Sequence, residues 1–187
     1  GSSMDLSLSL LQLKNEIAII TKVNDDPDIS YILFSEEEVL PILNPHHPLT
    51  KNRHLTMAQL AEEPIIMREI GSGTRKLVDD LFRQHDLKPN ILMETANTEF
   101  IKQLVVRGDG ISFLVKEAVV KNIQDNTLAT VPLEHGNRYL DVNFAHLKKQ
   151  PLSLPAQALL RVFDEMVPGE RPIQGIRSLF PSAPVPD

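Results

Sequence analysis

The chain has 187 residues, enough for one ordinary domain or for two small lobes that share a function. Hydrophobic residues make up 42% and charged residues 24%, the balance of a globular domain with a buried core. A net charge of −6 argues against a free-standing grip on DNA, and the absence of cysteine excludes disulfides, thiol nucleophiles, iron–sulfur clusters and thiolate zinc sites. Aromatics at 5%, with no tryptophan, argue against a base-stacking platform. No apolar run approaches the roughly 18–20 residues that span a bilayer, so no membrane partner is expected.

In chain order, Gly1-Ser2-Ser3-Met4 has the look of an expression scar and is set outside the fold. Leu6, Leu8, Leu10, Leu11 and Leu13 alternate like a strand but have the composition of a helix, and a helix is the reading taken. Residues 17–20 form a continuous apolar run with three β-branched isoleucines, the pattern of a buried parallel strand. Residues 29–34 and 39–43 read as two further strands, with Glu36-Glu37-Glu38 between them as a solvated acidic turn. Thr56 and Gln59 make a capping box and open a short helix. Residues 64–67 are a strand that runs into Gly71-Ser72-Gly73-Thr74-Arg75, and Leu77, Val78, Leu81, Phe82 and His85 then follow at helical spacing.

Residues 91–94 read as the next strand, and Asn97 or Thr98 caps a helix that Gly108 ends. Residues 111–115 are a strand and 116–123 a helix. Residues 128–133 and 139–147 are strands, and Pro155 opens a last helix. Residues 168–187 carry five prolines and read as an irregular tail, with a turn around Ile173 and Ile176 as a possible packed exception. Alternating strands and helices give an α/β class with mainly parallel sheets.

The sharpest chemical feature is Gly71-Ser72-Gly73-Thr74-Arg75 between a strand and a helix. A helix N-terminus exposes unpaired N–H groups and a partial positive charge, and two hydroxyls add donors, which makes an anion or carboxylate cradle. An ordinary serine N-cap after a tight turn fits the same residues equally well. The P-loop spacing and its lysine are missing. Asn97-Thr98 is a second candidate cradle. Asn44 and Thr21 follow strands, where open α/β sheets bind ligands. His46, His47 and His54 lack metal-ligand spacing, and no GxSxG elbow accompanies Ser72 or Ser112. Neither catalytic nor metal residues are assigned, and no cofactor is expected.

Several segments occur in one order: Asn44-Pro45-His46-His47-Pro48-Leu49, Leu55-Thr56-Met57-Ala58-Gln59-Leu60, and Pro64-Ile65-Ile66-Met67-Arg68-Glu69 with the Gly-Ser-Gly-Thr-Arg loop. Thr95-Ala96-Asn97-Thr98, Gly108-Asp109-Gly110 and Pro151-Leu152-Ser153-Leu154-Pro155 complete the series. Together they resemble the effector-binding domain of LysR-type transcriptional regulators, from about residue 16 to 167. The resemblance implies a type 2 periplasmic-binding-protein-like fold, with two Rossmann-like lobes around a cleft. Its implied lobes are 5–67, then 68–138, then a return over 139–167. It also implies that a strand–helix–strand unit of the first lobe is missing, so that this lobe is incomplete. Ser72, Gly73, Thr74 and Thr98 on one lobe, and Asn44 and Thr21 on the other, match its effector-facing positions.

The implied function is binding of a small anionic or carboxylate effector by a cytoplasmic, homo-oligomeric regulator, with no enzymatic activity. DNA would be bound only through a helix-turn-helix domain that this sequence lacks. The alternative is an extracytoplasmic solute-binding protein for an oxyanion, which shares the fold and can carry a similar loop.

Overall fold

The computed structural model describes residues 1–166. Their elements run α1 (Ser3–Leu11), β1 (Ala18–Thr21), β2 (Ile29–Ile42), a 3-10 turn (Pro48–Lys51), α2 (Met57–Ala61), β3 (Pro64–Arg68), α3 (Gly73–Gln84), β4 (Asn90–Thr95), α4 (Thr98–Arg107), β5 (Ile111–Val115), α5 (Lys116–Gln124), β6 (Arg138–Leu147) and α6 (Leu154–Met166). The expected tail, with the turn at Ile173 and Ile176, lies outside the described residues.

Contacts divide the described residues into two units: unit 1 holds residues 3–35 and 141–166, and unit 2 holds 36–140. Strands β2 and β6 each carry residues of both units. The sequence groups 36–67 with the first lobe, but packing places them with 68–138. The reason is a shared core: Val39, Leu43, Leu55, Met57, Leu60, Ile65 and Met67 pack with Val78, Leu81 and Phe82 of α3.

In unit 2 the strand order is β2-β5-β3-β4. β3 is parallel to β4 and β5, whereas β2 runs antiparallel to β5, with Val39 opposite Val115 and Ile42 opposite Ser112. The sheet is therefore mixed rather than mainly parallel. Successive side chains of a strand face opposite ways. Ile65 and Met67 accordingly enter the core under α2 and α3, while Ile66 enters a second core with Ile101, Leu104 and Val105 of α4 and Val119 of α5. A strand covered on both faces reads as an unbroken apolar run, which is why residues 64–67 stand out in the sequence.

Unit 1 pairs β1 with β6 antiparallel, Ala18 opposite Ala145 and Thr21 opposite Val142. The apolar run thus belongs to an antiparallel strand with Ile20 buried and Ile19 44% exposed, not to a buried parallel one. Leu10 of α1 packs with Ala18, Ile20 and Ile29, and this seats the leucine-rich segment as a helix. Phe34, Phe144 and Phe163 meet edge to face, with ring centroids 4.9–5.9 Å apart, and fix α6 against the strands. Residues 1–4 were set apart from the fold in sequence, yet α1 begins at Ser3 and Ser2 is buried.

Two other expectations fail for local reasons. Glu36-Glu37-Glu38 lies inside the single 14-residue strand β2 rather than in a turn. Glu38 is held there by Lys116 at 2.7 Å. Residues 128–133 form only isolated bridges, Leu43 to Ala129 and Leu55 to Leu133. Pro132 has no N–H, and the buried positions Leu128, Val131 and Leu133 break the period of two.

Two measurements follow from this packing. A Cβ added at Gly110 would lie 2.5 Å from the carbonyl oxygen of Pro64. Gly110→Ala should therefore cost roughly 1–3 kcal/mol by urea unfolding, since the obstacle is backbone in a packed strand pair. The Glu117 carboxyl titrates above its ordinary 4.5, first because it shares a hydrogen bond with Glu37 and then because of burial. The folded chain holds that proton longer, so this contribution is complete below 4.5 and is lost as pH rises through the raised value. Glu117→Gln should flatten that part of the profile of urea midpoint against pH.

Candidate functional site

Because β3 and β4 are parallel, with Arg68 opposite Thr95, the turns that follow them leave the same edge of the unit 2 sheet. Each leads into a helix N-terminus, α3 at Gly73 and α4 at Thr98. After β3 the chain turns through Gly71 at φ +91°, a conformation that favours glycine, and the Ser72 N–H donates to the Glu69 carbonyl at 3.2 Å. Ser72 is the N-cap of α3: its hydroxyl accepts from the Arg75 N–H at 3.3 Å. The N–H groups of Gly73 and Thr74 have no backbone acceptor among the described residues. Thr74 is 7% exposed, and its hydroxyl makes no hydrogen bond to a described residue.

After β4, Asn97 rather than Thr98 caps α4, accepting from the Phe100 N–H at 3.1 Å. The Thr98 hydroxyl accepts instead from Arg68 Nη1 at 3.3 Å. The same guanidinium grips its neighbour Glu69 in a fork, Nε to Oε2 at 2.8 Å and Nη2 to Oε1 at 3.0 Å. Burial pushes the Glu69 carboxyl up, but the Arg68 hydrogen bonds, a backbone bond and the charge of Arg68 outweigh it and leave the group below its ordinary value.

Arg75 lies beneath the turn with its side chain 10% exposed. Nη1 donates to the Arg68 carbonyl at 3.1 Å and meets Glu94 Oε1 at 2.7 Å, while Nε donates to Asp79 at 2.8 Å. One guanidinium so ties the ends of β3 and β4 to the first turns of α3. Burial works against its charge, but the bonds to Glu94 and Asp79 prevail and raise its pKa.

Ser72, Gly73, Thr74 and Thr98 are therefore brought to one edge of unit 2, but Asn44 is not. The Asn44 amide donates to the Val106 carbonyl at 2.6 Å, near the C-terminal end of α4. Thr98 begins the same helix, and eight residues of helix separate the two by about 12 Å. Asn44 follows a strand antiparallel to β5, so the carboxyl end of that strand lies at the opposite edge. Its side-chain oxygen accepts from the His46 N–H at 2.8 Å, which marks it as a turn residue. Arg107 is at that far end too, paired with Asp109.

Thr21 ends β1 in unit 1. Its hydroxyl lies 3.0 Å from the Ser3 hydroxyl, which also accepts from the Thr21 N–H at 3.2 Å. Ser3 opens α1, directly after Ser2, and two serines at the start of a leucine-rich helix are an N-cap signal. His47 caps the 3-10 turn and approaches Glu63 at 3.4 Å. Among the described residues no group of three or more histidine, aspartate or glutamate side chains could hold a metal ion.

The family model for the LysR substrate binding domain matches residues 2–168. The chain belongs to this LysR substrate-binding family. Its fold is accordingly the type 2 periplasmic-binding-protein-like one, and the family is regulatory rather than enzymatic. The HTH-type transcriptional activator CmpR of Synechocystis is 33% identical over 160 residues, which are 86% of this chain and 53% of that protein. The HTH-type transcriptional regulator YeiE of Escherichia coli is 32% identical over 172 residues, 92% of this chain and 57% of that protein. The LysR-family chain thus spans about half the length of these curated relatives.

Among solved structures, the regulatory domain of Synechocystis CcmR in complex with 2-PG superposes with a TM-score of 0.78 at 25% identity, over 87% of this chain and 78% of that one. The effector-binding domain of QuiR in complex with shikimate gives 0.76 at 23% identity, over 87% and 76%.

The clamp beneath the turn has a measurable weight. Arg75→Met should cost roughly 1–3 kcal/mol by urea unfolding, because it strands a carbonyl and frees two half-exposed carboxylates.

Proposed function

We propose that this chain is the effector-sensing part of a LysR-type transcriptional regulator and that it binds a small anion or carboxylate at the turn Ser72-Gly73-Thr74, beside Thr98. The observation that carries this reading is the set of unspent donors at the start of α3. The Thr74 hydroxyl and the N–H groups of Gly73 and Thr74 have no partner among the described residues, although Ser72 and Thr74 are 6% and 7% exposed. The first N–H groups of a helix have no intrahelical acceptor, and a helix N-terminus favours a negative one. Asn44 is assigned to the turn instead.

The chemistry is binding. A ligand shifts a regulator by binding one of its arrangements better than another. On this reading the whole protein is cytoplasmic and homo-oligomeric, and DNA is bound by a segment outside this chain. That the structural neighbours CcmR and QuiR were solved with 2-PG and shikimate agrees with a small polar effector. An extracytoplasmic oxyanion carrier is disfavoured, because CmpR and YeiE are transcriptional regulators by name.

The test is thermal unfolding with sulfate, phosphate, acetate and glycolate at matched ionic strength. A ligand at a hundred times its dissociation constant adds about 2.7 kcal/mol, a rise of roughly 5–10 °C for a chain of this size. Thr74→Ala should remove roughly 1.5–3 kcal/mol of that binding while leaving the ligand-free melt in place. Equal affinity of Thr74→Ala and the unaltered chain rejects the site.

A further inference from the structure

The two arginines of the site differ in what they have left to offer. The Arg75 side chain is 10% exposed and spends its charge on Glu94 and Asp79, so it sets the position of the turn. Among the described residues Arg68 has one carboxylate partner, the adjacent Glu69, and both members of that pair stay about a quarter exposed, 23% and 24%. Arg68 also donates to the Thr98 hydroxyl, which places a cation in direct contact with a proposed effector residue. Glu69 is no remote partner either, since its carbonyl accepts from Ser72, the residue that opens α3. A carboxylate presented to this fork from outside would meet the same parallel N–H donors that Glu69 now occupies.

We infer that Arg68 reads the charge of the effector and that Glu69 is its resident counter-ion, displaced by the second anionic group of a small diacid. This rests on the effector site proposed above. The first anionic group takes the free donors at Gly73 and Thr74. A monocarboxylate satisfies those donors alone and leaves the Arg68–Glu69 pair closed. A diacid gains a charge-assisted fork but must open the pair, so Glu69 sets the threshold for accepting the second charge. Arg68 is a specificity-determining residue on this view, and Glu69 acts through it.

The experiment is calorimetric titration of the full chain with acetate and malonate at fixed ionic strength, for the unaltered protein, Glu69→Gln, Arg68→Gln and Thr74→Ala. Glu69→Gln should tighten malonate roughly tenfold and leave acetate nearly unchanged, the size of one charge-assisted hydrogen bond. Arg68→Gln should abolish the preference for malonate over acetate. Arg68→Lys, which keeps the charge without the fork, should retain part of it, and it serves with Glu69→Gln if Arg68→Gln fails to fold. If Thr74→Ala weakens both acids while the Glu69 and Arg68 variants leave their affinity ratio unchanged, the cradle stands and the role of Arg68 is overturned. If neither acid binds the unaltered chain, or Thr74→Ala changes neither, the effector site itself falls and this inference falls with it.

Discussion

The buried guanidinium of Arg75 is the constraint on which the candidate site depends. The carboxyl ends of two parallel strands carry backbone carbonyls that need donors, and the start of a helix carries N–H groups that need acceptors. Arg75 serves the first need directly through the carbonyl of Arg68. It also holds two carboxylates, on α3 and β4, close to the turn. With its charge taken up by these two carboxylates, Arg75 does not compete with the neutral donors of the turn. A bare arginine in the same place would dominate any ligand that entered. The chain instead offers hydroxyls and amides, whose preference is set by direction as much as by charge.

Much of unit 2 was legible in the sequence because its signals are local. The Thr56–Gln59 capping box forms as spelled, with both reciprocal bonds present. Gly108 ends α4 in the left-handed conformation at φ +82°. The anion cradle and the plain N-cap fitted the same five residues; the structure shows Ser72 capping its helix, and the cradle stands as a proposal. Strand direction, by contrast, is not a local property. Residues 39–43 are as apolar as a parallel strand, and nothing in their own composition records that they run against β5. That one unknown put Asn44 at the wrong edge of the sheet.

The acidic run shows the same limit from another side. Three consecutive glutamates look like solvent-facing turn when read alone, yet in β2 the lysine that opens α5 holds one of them and Glu117 shares a hydrogen bond with another. The partners lie about 80 positions away in the chain, beyond the reach of any periodicity. The opening serines were lost for a different reason. A short Gly-Ser-Ser-Met start has the composition of a cloning remnant, and composition cannot tell a remnant from a helix cap. In the structure Ser3 lies at the start of α1 and its hydroxyl meets that of Thr21 at the end of β1.

The division of labour at the α3 turn has a consequence for divergence. The groups that carry structural load, Arg75, Asp79 and Glu94, are separate from those left free, the hydroxyl of Thr74 and its neighbouring amides. The hydroxyl at position 74 can therefore change without breaking a bond to the strands beneath it. If the proposed effector site holds, a lineage can acquire a new signal molecule by altering one short side chain, and a biosensor engineer can follow the same route with the scaffold left intact.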